Sequence, residues 1–128
     1  MTVQAFMAGV PEFTRQALVG IPSTGLTATG NSQGTALALP SDFDVFTTVS
    51  ASTGCILPWG VDGTVAGPVQ LADEITIVNH GAQTLSVYPQ SGGKVANGSA
   101  NAAFSVSATK TAYFTYLGSG NWAASVSA

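Results

Sequence analysis

Asp42 and Asp44 flank Phe43 in the run SDFDVF. Alternate residues of a strand share a face, so this spacing sets both carboxylates on one side, where they could share a Ca²⁺ ion or divide the acid and base roles of a hydrolysis. Calcium takes about six to eight oxygens, and no spaced acidic loop of the EF-hand kind is present. A solvated strand edge, with Asp42 as a turn residue behind Ser41, is the plainer expectation. Asp73 and Glu74 are adjacent and would point to opposite faces. His80 is the only imidazole, and its place between Asn79 and Gly81 reads as a solvent-facing turn residue rather than the base of a nucleophilic triad. Cys55, in GCILP, has apolar neighbours that would raise its thiol pKa, which suits a small core residue better than a nucleophile. The glycine-rich runs GNSQG and QSGGK lack the P-loop spacing and lead into no periodic helix. Trp59, Tyr88, Tyr113, Tyr116 and Trp122 could stack on sugar rings, although such side chains more often close a β core or an interface. No catalytic residue, metal site or cofactor is assigned, and the expectation is a protein that is not an enzyme.

Composition narrows the classes further. Of 128 residues only 7% are charged, against about 25% in an ordinary soluble domain, and the net charge is -3. Three scattered cations make no basic patch, so nucleic acid is not an expected partner. No apolar run approaches the roughly 18 to 20 residues of a spanning helix, and the opening MTVQAFMAGVPEFTRQ lacks a cationic start before an apolar core. Neither a membrane nor export is expected, and synthesis is placed in the cytoplasm. The lone cysteine cannot form an internal disulfide, so folding must rest on packing.

The elements that would position these residues fall into two parts. Residues 1–34 read as an N-terminal arm and linker: Phe6, Met7, Phe13 and Leu18 are apolar anchors, Pro11 and Glu12 can open a short helix over 11–18, and IPSTGLTATGNSQG has little to bury. Residues 35–128 read as one β domain with strands beginning near residue 37. FDVFTTV, EITIVN, TLSVY, FSVSA and TAYFTYL are β-branched and aromatic runs of strand length, bounded by Gly, Asn, Ser and Pro. Asp62-Gly63, the NHGAQ stretch at 79–83 and the GSGN stretch at 118–121 look like hairpin connections. The expected fold is all-β: a single antiparallel β-sandwich, jelly roll or small barrel, with an extended arm.

Residues 71–126 resemble β domains of tailed-bacteriophage virion proteins. The resemblance is carried by EITIVN, the NHGAQ turn, LSVYP, QSGGKV, the Asn-Gly-Ser-Ala-Asn-Ala segment, TAYFTYL and the closing NW. A single small domain with an arm is similar, within that class, to capsid decoration or cement proteins. That resemblance implies a homotrimer on the outer surface of the head, clamping the major capsid protein after expansion and stabilising the shell.

The charge deficit supports an assembly part independently, because a free monomer of this size normally carries mixed charge over a quarter or more of its surface. Phe6, Met7, Phe13, Leu18, Trp59, Tyr113, Tyr116 and Trp122 are the expected interface residues. The leading expectation is therefore a non-enzymatic decoration protein located on the virion capsid surface. The alternatives are a head-fibre or tail-associated module that recognises a host glycan, and a small β-barrel enzyme using Asp42 and Asp44.

Overall fold

A computed structural model describes residues 22–58 and 71–127. The expected helix over 11–18, the anchors Phe6, Met7, Phe13 and Leu18, Trp59 and the Asp62-Gly63 turn lie outside the described residues. Those described form ten strands and no helix: β1 (Ser23–Thr27), β2 (Leu37–Ala38), β3 (Phe43–Thr48), β4 (Gly54–Ile56), β5 (Glu74–Asn79), β6 (Leu85–Tyr88), β7 (Lys94–Val95), β8 (Phe104–Val106), β9 (Thr111–Gly118) and β10 (Asn121–Val126).

The chain is mainly β, but it is not the single antiparallel sandwich expected. Six strands form one mixed sheet in the order β1-β3-β5-β9-β10-β7, and four form a second in the order β2-β4-β6-β8. From β1 to β6 the chain alternates between the two sheets, odd strands in the larger and even strands in the smaller. A strand reached after a full circuit runs in the same direction as its predecessor, so β1/β3, β3/β5, β2/β4 and β4/β6 all pair parallel. Among the described strands antiparallel ladders form where the chain later turns back, at β6/β8, β5/β9 and β9/β10, while β7 and β10 pair parallel and an isolated antiparallel bridge joins Thr29 to Gly54. Period-two alternation and β propensity are the same in both kinds of ladder, which is why the strand runs alone suggested antiparallel neighbours.

Two further expectations change with this topology. NHGAQ is not a hairpin within one sheet; it carries the chain from β5 in the larger sheet to β6 in the smaller. The stretch read as linker contains β1, hydrogen-bonded along β3 from Ser23↔Asp44 to Thr27↔Thr48, so strand structure starts well before residue 37. The GSGN stretch does join antiparallel β9 and β10. Successive circuits return to register after about 20 residues and then after about 33, so no fixed repeat period marks the coil in the sequence.

The core lies between the sheets. Phe46, Ile75, Ile77, Ala112, Phe114, Tyr116 and Trp122 enter it from the larger sheet, and Cys55, Leu85, Val87 and Val106 from the smaller. Phe104 of β8 meets Phe114 of β9 edge to face at 5.6 Å, joining the two layers.

Candidate interaction face

Strand β3 reads Phe-Asp-Val-Phe-Thr-Thr, and its two sides differ sharply. Phe43, Val45 and Thr47 form one side; Asp44, Phe46 and Thr48 form the other. The second side faces the core, with Asp44 and Phe46 both completely buried, while Phe43 remains 41% exposed. The strand thus turns a phenyl and a valine outward and a carboxylate inward.

Register extends the outward side across the sheet. Phe43 lies opposite Thr76 of β5, Thr76 opposite Tyr113 of β9, and Tyr113 opposite Ser125 of β10. Strands lie about 4.8 Å apart, so Phe43 and Tyr113 stand about 10 Å apart on either side of Thr76. Val45 faces Val78 in the next row, both half-buried. Tyr113 is 45% exposed. Along β3, β5, β9 and β10 the outward positions carry one charge, Glu74; Lys94 stands on the far edge strand β7. Leu117 and Leu71, both well exposed, prolong the apolar surface beyond Glu74.

The aromatic residues expected at an interface separate. Tyr113 is on this face. Tyr116 and Trp122 are instead in the core of the subunit, 1% and 3% exposed, with ring centroids 5.0 Å apart. Opposite each other on β9 and β10, they share the inward side, and the Tyr116 hydroxyl accepts the Gly120 N–H at 2.9 Å. Neither ring can stack on a sugar from outside.

Asp42 and Asp44 do not form the expected solvated pair. Asp44 is sealed, its Oδ1 accepting the Ser41 N–H and the Ser41 hydroxyl, each at 3.2 Å, while its Oδ2 is buried with no hydrogen-bond partner. Burial pushes its carboxyl up to about 7; the Ser41 bonds pull the other way, and the Asp42 charge adds to the rise. Cys55, on β4, is buried as expected, and its thiol is pushed well above the usual range, first by burial and then by the Asp44 charge. An inert thiol results. His80 is exposed in its turn. Among the described residues no group of three or more His, Cys, Asp or Glu side chains gathers to hold a metal ion.

The two Gly-rich runs are tied together by hydrogen bonds. Gln33 Nε2 donates to the Pro89 carbonyl at 2.6 Å and to Asn101 Oδ1 at 3.1 Å, and Asn101 Oδ1 also accepts the Gly92 N–H at 2.6 Å. Asn79, to which the sequence reading assigned no role, holds the passage between sheets. Fully buried, it donates through Nδ2 to the carbonyls of Gln83 and Val106, both at 2.9 Å, and accepts the Gly81 N–H. A Cβ on Gly81 would come within 2.6 Å of the Val49 side chain, so the arch needs glycine there. A polar residue at an inward strand position directly before a turn with glycine was the available signal.

No protein-family model matches this chain, and no match was found among curated proteins or among solved structures. The functional reading therefore rests on the residues and their placement.

Proposed function

We propose that this chain is a non-enzymatic structural protein of a phage virion, a decoration protein that attaches as a homo-oligomer to the major capsid protein on the outside of the head. The observation that carries the proposal is the outward face of the larger sheet: Phe43, Val45, Thr76, Val78 and Tyr113 make a neutral β surface, and β3 has turned its more apolar side outward to build it. Phe43 and Tyr113 are the exposed members of that surface and Val45, Thr76 and Val78 are half-buried; exposed aromatic side chains on a neutral face suit a contact with another macromolecule. The sequence resemblance over residues 71–126 gives that contact its setting.

A protein that binds only the closed shell stabilises it by mass action. Co-sedimentation with expanded heads assembled without the chain, and the temperature at which those heads open, test the reading. Binding with a raised opening temperature is expected. It should persist at about 1 M salt, where the Debye length is about 3 Å, because few charges exist to be screened. A chain that stays in the supernatant at every concentration contradicts the proposal.

A further inference from the structure

Asp44 shares its side of β3 with Phe46, so the register that buries the ring carries the carboxyl inward with it. Its Oδ1 accepts the Ser41 N–H and hydroxyl, while its Oδ2 has no partner. A protonated carboxyl is tolerated in such a place; a carboxylate, with about four lone-pair sites to satisfy, is not. β1 and β5 flank β3 and bring no cation, and neither does any strand of the smaller sheet across the core. The titratable groups that act with it are Asp42, whose charge opposes a second one nearby, and Cys55 of β4, whose thiol burial keeps protonated. Its partners in register are Ser23 of β1 and Ile77 of β5, and Glu74 of β5 stands on the outward side.

The shortest way to water lies across β1. Asp44 is one strand in from the edge of the larger sheet, and β1 is that edge. The strand is built in two unequal halves. Beyond Gly25, Leu26 packs on the core, and buried Ala28 donates its N–H to the Thr48 carbonyl at 3.0 Å. Thr29 and Gly54 then exchange hydrogen bonds at 3.2 and 3.3 Å. Before that point, Ser23 stands opposite Asp44, and residues 23–25 contribute no apolar side chain. Between the halves the ladder slips, because the step from Ser23 to Leu26 on β1 is one residue longer than the step from Asp44 to Phe46 on β3. Gly25 sits in this bulge with a φ of +69° and nothing within 4 Å of where a Cβ would stand, which gives the backbone room to turn.

We infer that residues 23–25 form a pH-sensitive latch, closed on β3 while Asp44 is protonated and swung away at the Gly25 bulge once Asp44 is ionised. The driving force is hydration of the carboxylate. With the latch closed, burial holds the Asp44 proton up to about pH 7, whereas in water it leaves near 3.8. Opening is therefore least favoured below pH 3.8, gains steadily as pH rises, and levels off above 7. The switch sets where the N-terminal end of the chain joins the sheet: at residue 23 in acid, and beyond Gly25 above neutrality. It belongs to the free subunit and does not depend on the decoration reading.

Nitroxide labels on Thr24→Cys and Thr27→Cys, exposed positions on either side of Gly25, test this in the full chain, with the native Cys55 buried and out of reach. At Thr24→Cys the ratio of mobile to immobile label, read by electron paramagnetic resonance, is expected to rise on the order of several hundredfold from pH 4 to pH 8. The label at Thr27→Cys should keep one spectrum throughout. Adding Asp44→Asn should hold the Thr24→Cys label immobile at both pH values, which separates this carboxyl from every other titrating group.

A Thr24→Cys label whose spectrum is level from pH 4 to pH 8 overturns the inference. Labels that loosen together at both positions do so too, since the change would then be a general softening with no hinge at Gly25. A pH response that survives Asp44→Asn removes Asp44 from the switch. Should Asp44→Asn fail to fold, the contrast between the two labels in the otherwise native chain still decides the matter.

Discussion

Phe43 and Asp44 are neighbours in sequence, yet each sits where hydrophobicity alone would have put the other. On the outward face of the larger sheet, Phe43, Thr76 and Tyr113 form a row of neutral side chains, the two aromatic ones exposed and Thr76 half-buried between them. One step along, the inward row runs Asp44, Ile77 and Ala112, all completely buried. The inward face is otherwise a dense core, with Phe46, Ile75, Phe114 and Tyr116 at most 1% exposed. Burial within a sheet is thus decided by the whole set of strands, because β5 and β9 bring isoleucines and Phe114 to the same side as Asp44. A single strand cannot vote itself over.

The largest difference between the faces should appear when the same residue type is truncated on each. Phe46→Ala removes a completely buried ring and is expected to lower the free energy of unfolding by about 3 to 5 kcal/mol in urea titration. Phe43→Ala, on the other side of the same strand, should change the stability of the dissociated subunit by no more than about 0.5 kcal/mol. Equal losses at both positions would erase the distinction drawn between the faces.

The buried carboxylate makes the inward face sensitive to pH. The folded chain holds the Asp44 proton up to about pH 7, whereas the unfolded chain releases it near 3.8, so between these values the folded state carries more protons. Stability from this group is accordingly full below pH 3.8, declines as pH rises toward 7 and is level above it. The whole swing is on the order of 4 kcal/mol at 1.36 kcal/mol per pKa unit. Asp44→Asn should flatten the decline and melt higher than the wild type at pH 8, as followed by circular dichroism. A wild type whose melting temperature is level between pH 4 and 7 would show that the site is wetter than its geometry indicates.

Asn79→Ala tests the link between the sheets. It strands the buried carbonyl of Val106 and removes the acceptor for the Gly81 N–H, an expected loss of about 2 to 3 kcal/mol by denaturant titration. Asn79→Asp should also destabilise, because a carboxylate cannot donate to Gln83 and Val106. The smallest effect concerns Tyr113→Ser. It should leave subunit stability within about 0.5 kcal/mol while weakening self-association in sedimentation, which would sharpen the separation of folding from assembly.

Much of the local structure was legible. FDVFTTV, EITIVN, TLSVY, FSVSA and TAYFTYL each contain or make a strand, Cys55 is a core residue, and His80 is exposed. β1 was not legible, since STGLT has a central glycine and only one large apolar side chain. Its hydrogen bonds to β3 supply what its side chains do not. Tyr116 and Trp122 resemble interface aromatics until β9 and β10 are paired, which places both on the inward side. The interchange of Phe43 and Asp44 lay beyond any single-strand pattern.

What the sequence determined by itself is the β character of the chain, its strand runs, its dependence on packing without a disulfide, and its scarcity of charge. These follow from side-chain shape, period-two alternation and residue counts, all of them local or compositional. Only the tertiary structure decided that the chain crosses between two sheets at each of its first six strands, that the early pairs are parallel, and which side of β3 faces the core. The physical reason is that direction and partner of a strand are set by contacts between residues far apart in the chain, such as Asn79 with Val106 and Phe104 with Phe114, for which neighbouring residues carry no signal.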